Sequence, residues 1–192
     1  MADKVGIANQ ALNLCGASRI TSFEDDTPEG ESVRTFYDTS KRSVIAAFPW
    51  GCATRRTVQA ADTVAPAWGF DNQYTLPDDF INVVEIQDLR PFEKWKVEGG
   101  KLLIDRDGPL YLSYTYDVSE GDLTDDLSKA LASYLGAELA LDLMESSSRH
   151  DNLLQRYVMM LDQAQVNLSR NQSVPQYNPA GTYQVSRNYM TD

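Results

Sequence analysis

The sequence predicts an α+β protein that is mostly α-helical, with a small antiparallel β-sheet inserted in the middle of the chain. Two observations carry this. In residues 4–48 and 124–170 apolar residues recur every three or four positions, the period of a helix face, whereas about 54–118 contains short alternating runs and turn residues. The prediction is a helical bundle with a long C-terminal helical hairpin, forming one domain over 1–170, and an extended tail over 171–192.

The first part of the chain predicts two helices. Apolar side chains in residues 4–15 fall on one helical face, and Gly16 follows as a C-terminal stop. Thr27 and Pro28 have the pattern of an N-cap followed by proline at the first helical position, so a second helix is expected over about 28–48. Its buried face should carry five residues: Val33, Phe36, Tyr37, Val44 and Phe48.

The middle of the chain has the features of a half-buried antiparallel sheet. Candidate strands cover five runs: 73–76, 81–86, 95–98, 101–105 and 110–116. Gly99 and Gly100 supply the positive φ angles that a two-residue hairpin needs, and Asp107 and Gly108 suit a second turn. In the last run four larger residues share one side of the strand: Leu110, Leu112, Tyr114 and Tyr116.

The helical pattern returns after Thr124, which has the character of an N-cap followed by two acidic residues. This helix should continue to about Glu145, and the serines at 146–148 should break it before a second long helix over about 151–170. Five residues form the seam of that second helix: Leu154, Tyr157, Leu161, Ala164 and Leu168. Two long helices with so short a connection predict an antiparallel hairpin.

The tail over 171–192 differs in composition from the rest of the chain. Its only charged residues are Arg187 and Asp192, and its two prolines and Gly181 exclude a long helix. Over residues 182–189, however, small polar side chains alternate with larger ones, so a strand formed there would have one mostly apolar face.

The composition narrows the classes of partner. A formal net charge of −11 repels phosphate backbones, so DNA is expected only as a neighbour that slides past. No apolar run approaches the ~18 residues of a membrane span, and the N-terminus lacks a signal-peptide pattern, so we expect synthesis in the host cytoplasm and no membrane partner. Cys15 and Cys52 lie in apolar contexts and are expected to be buried, inert thiols.

The sequence contains few of the residue patterns that catalysis, metal binding or cofactor binding requires. His150 is the only histidine; it lies close to Ser147, Ser148 and Asp151, but neighbours in one loop rarely form a catalytic triad. The acidic groups at 24–26, 78–79 and 122–126 lack the spacing of an EF-hand and coincide with turns and helix starts. Phosphate-binding and dinucleotide-binding glycine motifs are absent, and we expect no metal or cofactor.

Glu138 is the most distinctive single acid because it falls on an apolar helical stripe. A carboxyl desolvated among leucines has a raised pKa and can act as a general acid, with Glu145 as a second acid two turns further along the same face. The alternative is an ion pair with an arginine of the same or a neighbouring subunit, and we favour it.

Three stretches together resemble one family. They are residues 7–17 with the acidic loop and the segment that ends in Phe48-Pro49-Trp50; the turn Leu76-Pro77-Asp78-Asp79-Phe80 preceded by residues 66–70; and the 131–143 helix with its partner. With these three stretches in this order, the sequence resembles the head-to-tail adaptor family of short-tailed bacteriophages, whose members are similar to tail tubular protein A. The similarity covers about residues 5–170.

The resemblance implies a structural virion protein without catalytic residues. It implies a ring, with twelve copies expected, that lies at the head-tail interface between the portal protein and the tail nozzle protein and lets DNA pass during ejection. The tail would then bind the portal through Pro175, Tyr177, Pro179, Tyr183, Val185, Arg187 and Tyr189. Two alternatives stay open: a virion-associated peptidoglycan hydrolase that uses Glu138, and an assembly chaperone that is absent from the mature particle.

Overall fold

The computed structural model describes residues 3–90 and 92–171, and it confirms the predicted α+β fold. The elements follow one another as α1 (Lys4–Cys15), α2 (Pro28–Ala47), β1 (Thr54–Gln59), β2 (Asn72–Thr75), β3 (Phe80–Ile86), β4 (Trp95–Glu98), β5 (Lys101–Ile104), β6 (Leu110–Tyr116), α3 (Asp125–Asp142) and α4 (Ser147–Asn171). Short 3₁₀ turns precede β1 and α3. Within the described residues, none of the helices has the length and apolarity that a membrane span requires.

The two N-terminal helices begin and end where the sequence predicts. Gly16 follows α1 in the left-handed region, at φ 85°, and its N–H donates to the Leu12 carbonyl at 2.9 Å. The Thr27 hydroxyl caps α2 by accepting the Gly30 N–H at 3.1 Å. Of the five residues expected on the buried face of α2, Val33, Tyr37 and Val44 are buried, and Phe36 and Phe48 are half-buried.

The chain leaves α2 through a rigid corner. Trp50 is buried, and its indole N–H donates to the Val44 carbonyl at 2.9 Å, one of the carbonyls at the end of α2 that have no helical partner. Phe48 packs edge-on against the Trp50 ring, with centroids 4.9 Å apart. The corner therefore fixes the direction in which the chain enters β1.

Helix α3 is the centre of the helical bundle. Helices α1, α2 and α4 all pack against it, while α2 and α4 have little contact with each other. Its buried face is unusually wide and rich in small residues: Ala130, Ala132, Ser133, Gly136, Ala137 and Ala140. At Gly136 the backbone of α1 comes so close that a Cβ atom would lie 3.1 Å from the Ala11 carbonyl oxygen.

The predicted antiparallel hairpin of α3 and α4 is confirmed, but its turn differs from the prediction. Helix α3 ends at Asp142 rather than Glu145, and α4 begins at Ser147, so two of the three serines lie inside a helix. Glu145 has a left-handed backbone, at φ 49°, and the next N–H donates to the Ala140 carbonyl at 3.0 Å. This backbone closure ends α3 early, because a left-handed residue cannot continue a right-handed helix.

The β region forms two three-stranded antiparallel sheets, where the sequence led us to expect one. Their strand orders are β1-β6-β3 and β2-β5-β4. The glycine pair at 99–100 closes the β4–β5 hairpin as predicted, but the turn at Gly108 carries the chain from one sheet to the other. Strand β1 was not foreseen, because Thr54–Gln59 lacks an apolar alternation and pairs only along one edge of β6.

The sheets enclose a core of their own, separate from the helical core. The predicted inner side of β6 is buried, and it packs against Tyr74, Leu102 and Ile104 of the second sheet. Tyr116 touches both cores. We call residues 54–116 the β lobe.

We expect Gly136→Leu to destabilise the protein by about 2 kcal/mol. A leucine gains about 0.8 kcal/mol in helix propensity over glycine, but forcing a large side chain against the α1 backbone costs up to about 3 kcal/mol. Urea unfolding measures the change. The matched control is Gly121→Leu, at an exposed glycine with no atom near its Cβ position, which should stay within about 0.5 kcal/mol of wild type. Equal stability of both variants would contradict close packing at Gly136.

Candidate interaction surfaces

One end of the β lobe carries three exposed aromatic side chains. Strands β2 and β4 both run antiparallel to β5, so they start at the same end of their sheet. Trp68 lies in the loop that enters β2, and Phe92 in the loop that enters β4, whose first residue is Trp95. Trp68, Phe92 and Trp95 are 86%, 100% and 40% exposed. We call these three residues the aromatic tip.

Arg106 holds the loop that presents Phe92. Its guanidinium forms a two-pronged ion pair with Glu93, at 3.1 and 2.8 Å, and donates to the carbonyls of Gln87 and Asp88 at 2.8 and 2.6 Å. The side chains of Arg106 and Glu93 are only 17% and 9% exposed. Gln87, Asp88 and Glu93, on the two sides of Phe92, are thus held by charged hydrogen bonds in the free subunit.

The same contacts alter the acidity of Glu93. Its carboxylate accepts hydrogen bonds from Arg106 and from the Arg90 N–H, at 2.8 Å, and both favour the charged form, so the pKa of Glu93 lies below its usual range. Asp88 and Phe92 have positive φ angles of 55° and 69°, which residues other than glycine rarely adopt. The clamp therefore maintains a strained loop with a fully exposed phenylalanine at residue 92.

Beside the aromatic tip, β4 forms an uncovered edge of the second sheet. At the opposite edge, Asp62 covers β2: its N–H donates to the Gln73 carbonyl at 2.9 Å, and its carboxylate accepts from Thr75. Among the described residues no strand covers β4. Trp95 and Val97, which pair with the buried residues Ile104 and Leu102, consequently remain 40% and 38% exposed.

The helical bundle has two further candidate surfaces. The first, which we call the Glu138 face, lies between α2 and α4 and combines one carboxylate with apolar side chains: Tyr134, Glu138 and Leu141 of α3, and Leu154, Val158 and Leu161 of α4. Leu141 and Val158 are exposed, and the others are half-buried. Tyr134 meets the buried Tyr157 edge-on, with ring centroids 5.1 Å apart.

The second, which we call the Lys129 groove, is a depression of about 260 Å³ on the side of α3 that α1 covers. It is lined by Gln10, Asn13, Leu14, Lys129, Ala132 and Arg156. Lys129 and Glu138 are nine positions apart, which is two and a half helical turns, so their side chains leave α3 in opposite directions. On α4, Arg156 and Val158 are two positions apart, which is about 200° around the helix, so their side chains also point in nearly opposite directions.

Glu138 does not have the surroundings that a catalytic pair requires. It is half-buried on its apolar stripe, as predicted, but Leu141 of that stripe is exposed. Glu145 lies beyond the end of α3 with an exposed side chain, so the second acid expected two turns along the same helix is not there. Within the part of the chain that the structure describes, Glu138 has no ion pair, so none of the arginines described there is the partner predicted for it.

The other sequence candidates for chemistry serve local structure. His150 lies in α4, with its Nδ1 3.1 Å from the Asp151 carboxylate, while Ser147 and Ser148 are exposed in the first turn of that helix. Asp79 accepts hydrogen bonds from Arg55 at 2.9 Å and from Tyr114 at 3.1 Å, and so joins the first sheet to the turn before β3. Across residues 3–90 and 92–171, no three acidic, histidine or cysteine side chains converge as metal ligands would.

The two cysteines differ in exposure. Cys15 is fully buried, and burial raises the pKa of its thiol. Cys52 is half-buried, with its sulfur 3.6 Å from the Thr124 hydroxyl. The prediction of a buried thiol is therefore confirmed for Cys15, whereas Cys52 remains partly accessible.

The seven residues predicted to bind the portal, from Pro175 to Tyr189, lie outside the described residues. The aromatic tip was not foreseen as a site. Trp68 entered the sequence argument only through the family resemblance, and Phe92 did not enter it. The signal that was available is the run Arg-Pro-Phe-Glu-Lys-Trp at 90–95, in which aromatic residues stand among charged ones without any strand alternation. No family model matches the sequence, and no curated protein is significantly similar to it.

We expect the stability of the wild type to fall more steeply with acid than that of Glu93→Gln. Because the pKa of Glu93 is lowered by folding, its stabilising contribution is present above the pKa of an unfolded glutamate, about 4.3, and is lost as the pH falls through the lower folded value. At pH 7 the variant should be less stable by about 2 kcal/mol. Chemical denaturation between pH 7 and pH 3 measures both. If the free energies of unfolding of the two proteins changed in parallel with pH, the ion pair between Arg106 and Glu93 would not stabilise the fold.

For Glu138→Gln we expect unchanged stability in the free subunit, to within about 0.5 kcal/mol, because no partner in the described chain loses an ion pair. Thermal unfolding measures this, and a turbidity assay on purified cell walls measures lysis in parallel. Lysis by the wild type that disappears in the folded variant would establish the hydrolase alternative instead.

Proposed function

We propose that this protein is a structural virion subunit that forms a ring, with twelve copies expected, between the portal and the tail nozzle of a short-tailed bacteriophage. The family resemblance in the sequence motivates the proposal. The structural observation that carries it is the aromatic tip at one end of a β lobe with its own core, where Arg106 holds residues on both sides of Phe92. A preordered apolar surface of this kind is typical of a protein that binds another protein.

The energetics of the aromatic tip favour a protein partner. Burying one large apolar side chain contributes about 1.5–3 kcal/mol, so Trp68 and Phe92 together leave a substantial gain unused in the free subunit. Aromatic residues are enriched at the centres of protein interfaces, where a few of them supply most of the affinity. Because the loop is already ordered, little conformational entropy is lost when a partner binds.

The chain offers separate surfaces for the separate neighbours that a coupling ring must have. In the proposed arrangement the aromatic tip binds the tail nozzle protein, and the helical bundle contacts the next copy in the ring. The tail residues named from the sequence bind the portal, which stays a prediction. A subunit that joins two different structures needs at least these two dissimilar contacts besides its contact with itself.

The charge of the chain is compatible with a channel for DNA. Twelve copies at −11 each would give the ring a net charge of roughly −130, so phosphates would be repelled wherever acids face the lumen. DNA would then pass through without binding to the wall.

The test is reconstitution with the portal and nozzle proteins of the same phage. We expect electron microscopy to show one added ring on the portal, and the nozzle attached below it. Phe92→Ser should leave the ring on the portal but weaken nozzle attachment at least about tenfold, as loss of an interface hot spot does. The control is Met159→Ser, at an apolar, 69% exposed residue of α4, which should have no effect on nozzle attachment.

Two results would contradict the proposal. If the wild type binds neither protein, it is not the adaptor. If mass spectrometry of purified virions finds no copy of the chain, the assembly-chaperone alternative replaces it. Attachment of the nozzle with unchanged affinity by Phe92→Ser would show that the aromatic tip is not the nozzle contact.

A further inference from the structure

We infer that neighbouring copies of this chain bind one another through the Glu138 face of one copy and the Lys129 groove of the next, with Glu138 close to Arg156 and Lys129 of its neighbour. This inference rests on the proposed ring and names the residues that close it. It follows from where three charged side chains lie on two helices.

The first step is the position of the two surfaces. They lie on opposite sides of the α3–α4 pair, since Lys129 and Glu138 leave α3 in opposite directions and Arg156 and Val158 diverge on α4. A contact between two different surfaces of the same chain is heterologous, so each copy can bind two others and the series can close as a ring. A two-fold dimer would instead need one surface that pairs with itself.

The second step is complementarity of charge. Six basic side chains of the described residues form ion pairs within the chain: Lys4, Lys41, Arg55, Lys96, Lys101 and Arg106. Arg19, Arg34 and Arg149 donate hydrogen bonds to other residues of the chain. Lys129 and Arg156 form no ion pair within the described residues, although the chain carries an excess of acids. Two unpaired cations beside one groove therefore favour a carboxylate from outside the chain.

The third step is the character of the Glu138 face. Its carboxylate stands among apolar side chains, of which Leu141 and Val158 are exposed. In the free subunit, water solvates this carboxylate. When the apolar surroundings are covered, the carboxylate loses that water and needs a cation, which is what the Lys129 groove presents around Leu14 and Ala132. The Glu138 face therefore favours a partner that has apolar and basic groups side by side. A second copy of this chain has both in its Lys129 groove.

Alternative cations in the chain are less well placed. Arg42 lies on α2, and Arg56, Arg90 and Lys94 lie in the β lobe. Among the described residues, only Lys129 and Arg156 belong to the same helix pair as Glu138 and line a depression that can receive a side chain.

The first experiment detects the contact without the portal. Glu138→Cys and Arg156→Cys are made separately in a Cys52→Ser background, since Cys15 is buried, and are treated at high concentration with a short bismaleimide. We expect a covalent dimer from the mixture and little from either variant alone. The control is Met159→Cys, also on α4, mixed with either variant, which should give no more dimer than chance encounters.

The chain that carries both cysteine substitutions should give a ladder of cross-linked species that ends at the size of the ring. Efficient dimers from Glu138→Cys alone would indicate a two-fold contact and overturn the inference. So would a mixture that cross-links no better than the Met159→Cys control.

The second experiment exchanges the charges and measures ring formation on the portal. Glu138→Arg or Arg156→Glu alone should weaken assembly roughly ten- to a hundredfold, because each places like charges at every contact. An equimolar mixture of the two variants should recover assembly, since alternating copies pair opposite charges at every contact of an even-numbered ring. The double variant should recover it as well. Failure of both rescues would overturn the inference.

The outcomes separate this inference from the proposed function. The expected cross-linking pattern, together with no binding to the portal or the nozzle protein, would establish the contact between copies but not the adaptor role. Normal portal rings that neither cross-link nor respond to charge exchange would support the adaptor role and show that another surface closes the ring.

Discussion

The close packing of three helices around α3 is the constraint on which the rest of the structure depends. Small residues along α3, with Gly136 at the tightest point, let the backbone of α1 approach to within contact of the helix. Helices α1, α2 and α4 then pack against three sides of α3, and a strip between α2 and α4 stays partly open. Glu138 lies on that strip. The exposed acid on an apolar face is thus a consequence of how the core is built.

The β lobe is joined to this bundle by a few charged and aromatic contacts. Tyr116, at the end of β6, touches both cores, and its hydroxyl donates to the carbonyl of Cys52, in the turn before β1, at 3.2 Å. Lys41 of α2 forms ion pairs with Asp117 and Glu120, just after β6, at 2.9 and 3.2 Å. These contacts hold the lobe that carries the aromatic tip in a fixed relation to the helices, as a coupling subunit requires.

Acidic residues have different roles in this chain, and their surroundings decide which. Glu93 is largely enclosed and orders a loop, Asp79 joins two elements, and Asp25 accepts hydrogen bonds from Thr21 in the loop before α2. Glu138 differs because no cation of the described chain reaches it. In a chain with a large excess of acids, unpaired basic residues such as Arg156 are therefore the more informative markers of a contact surface.

The sequence by itself determined the existence of the helices, five of the six strands to within one residue at each end, and the glycine turn at 99–100. These depend on periodicity, capping and positive φ angles, which neighbouring residues specify. The existence of β1 was decided by tertiary structure, since its pairing along β6 depends on distant backbone. The C-terminal end of α3 depends on a local closure at the left-handed Glu145, which the periodicity of the sequence does not indicate. The same distinction between local sequence and tertiary structure applies to the candidate sites. Sequence singled out Glu138 by its stripe, but whether it had a partner, and that Arg106 would hold Phe92 exposed, depended on side chains far apart in the chain that only the folded structure brings together.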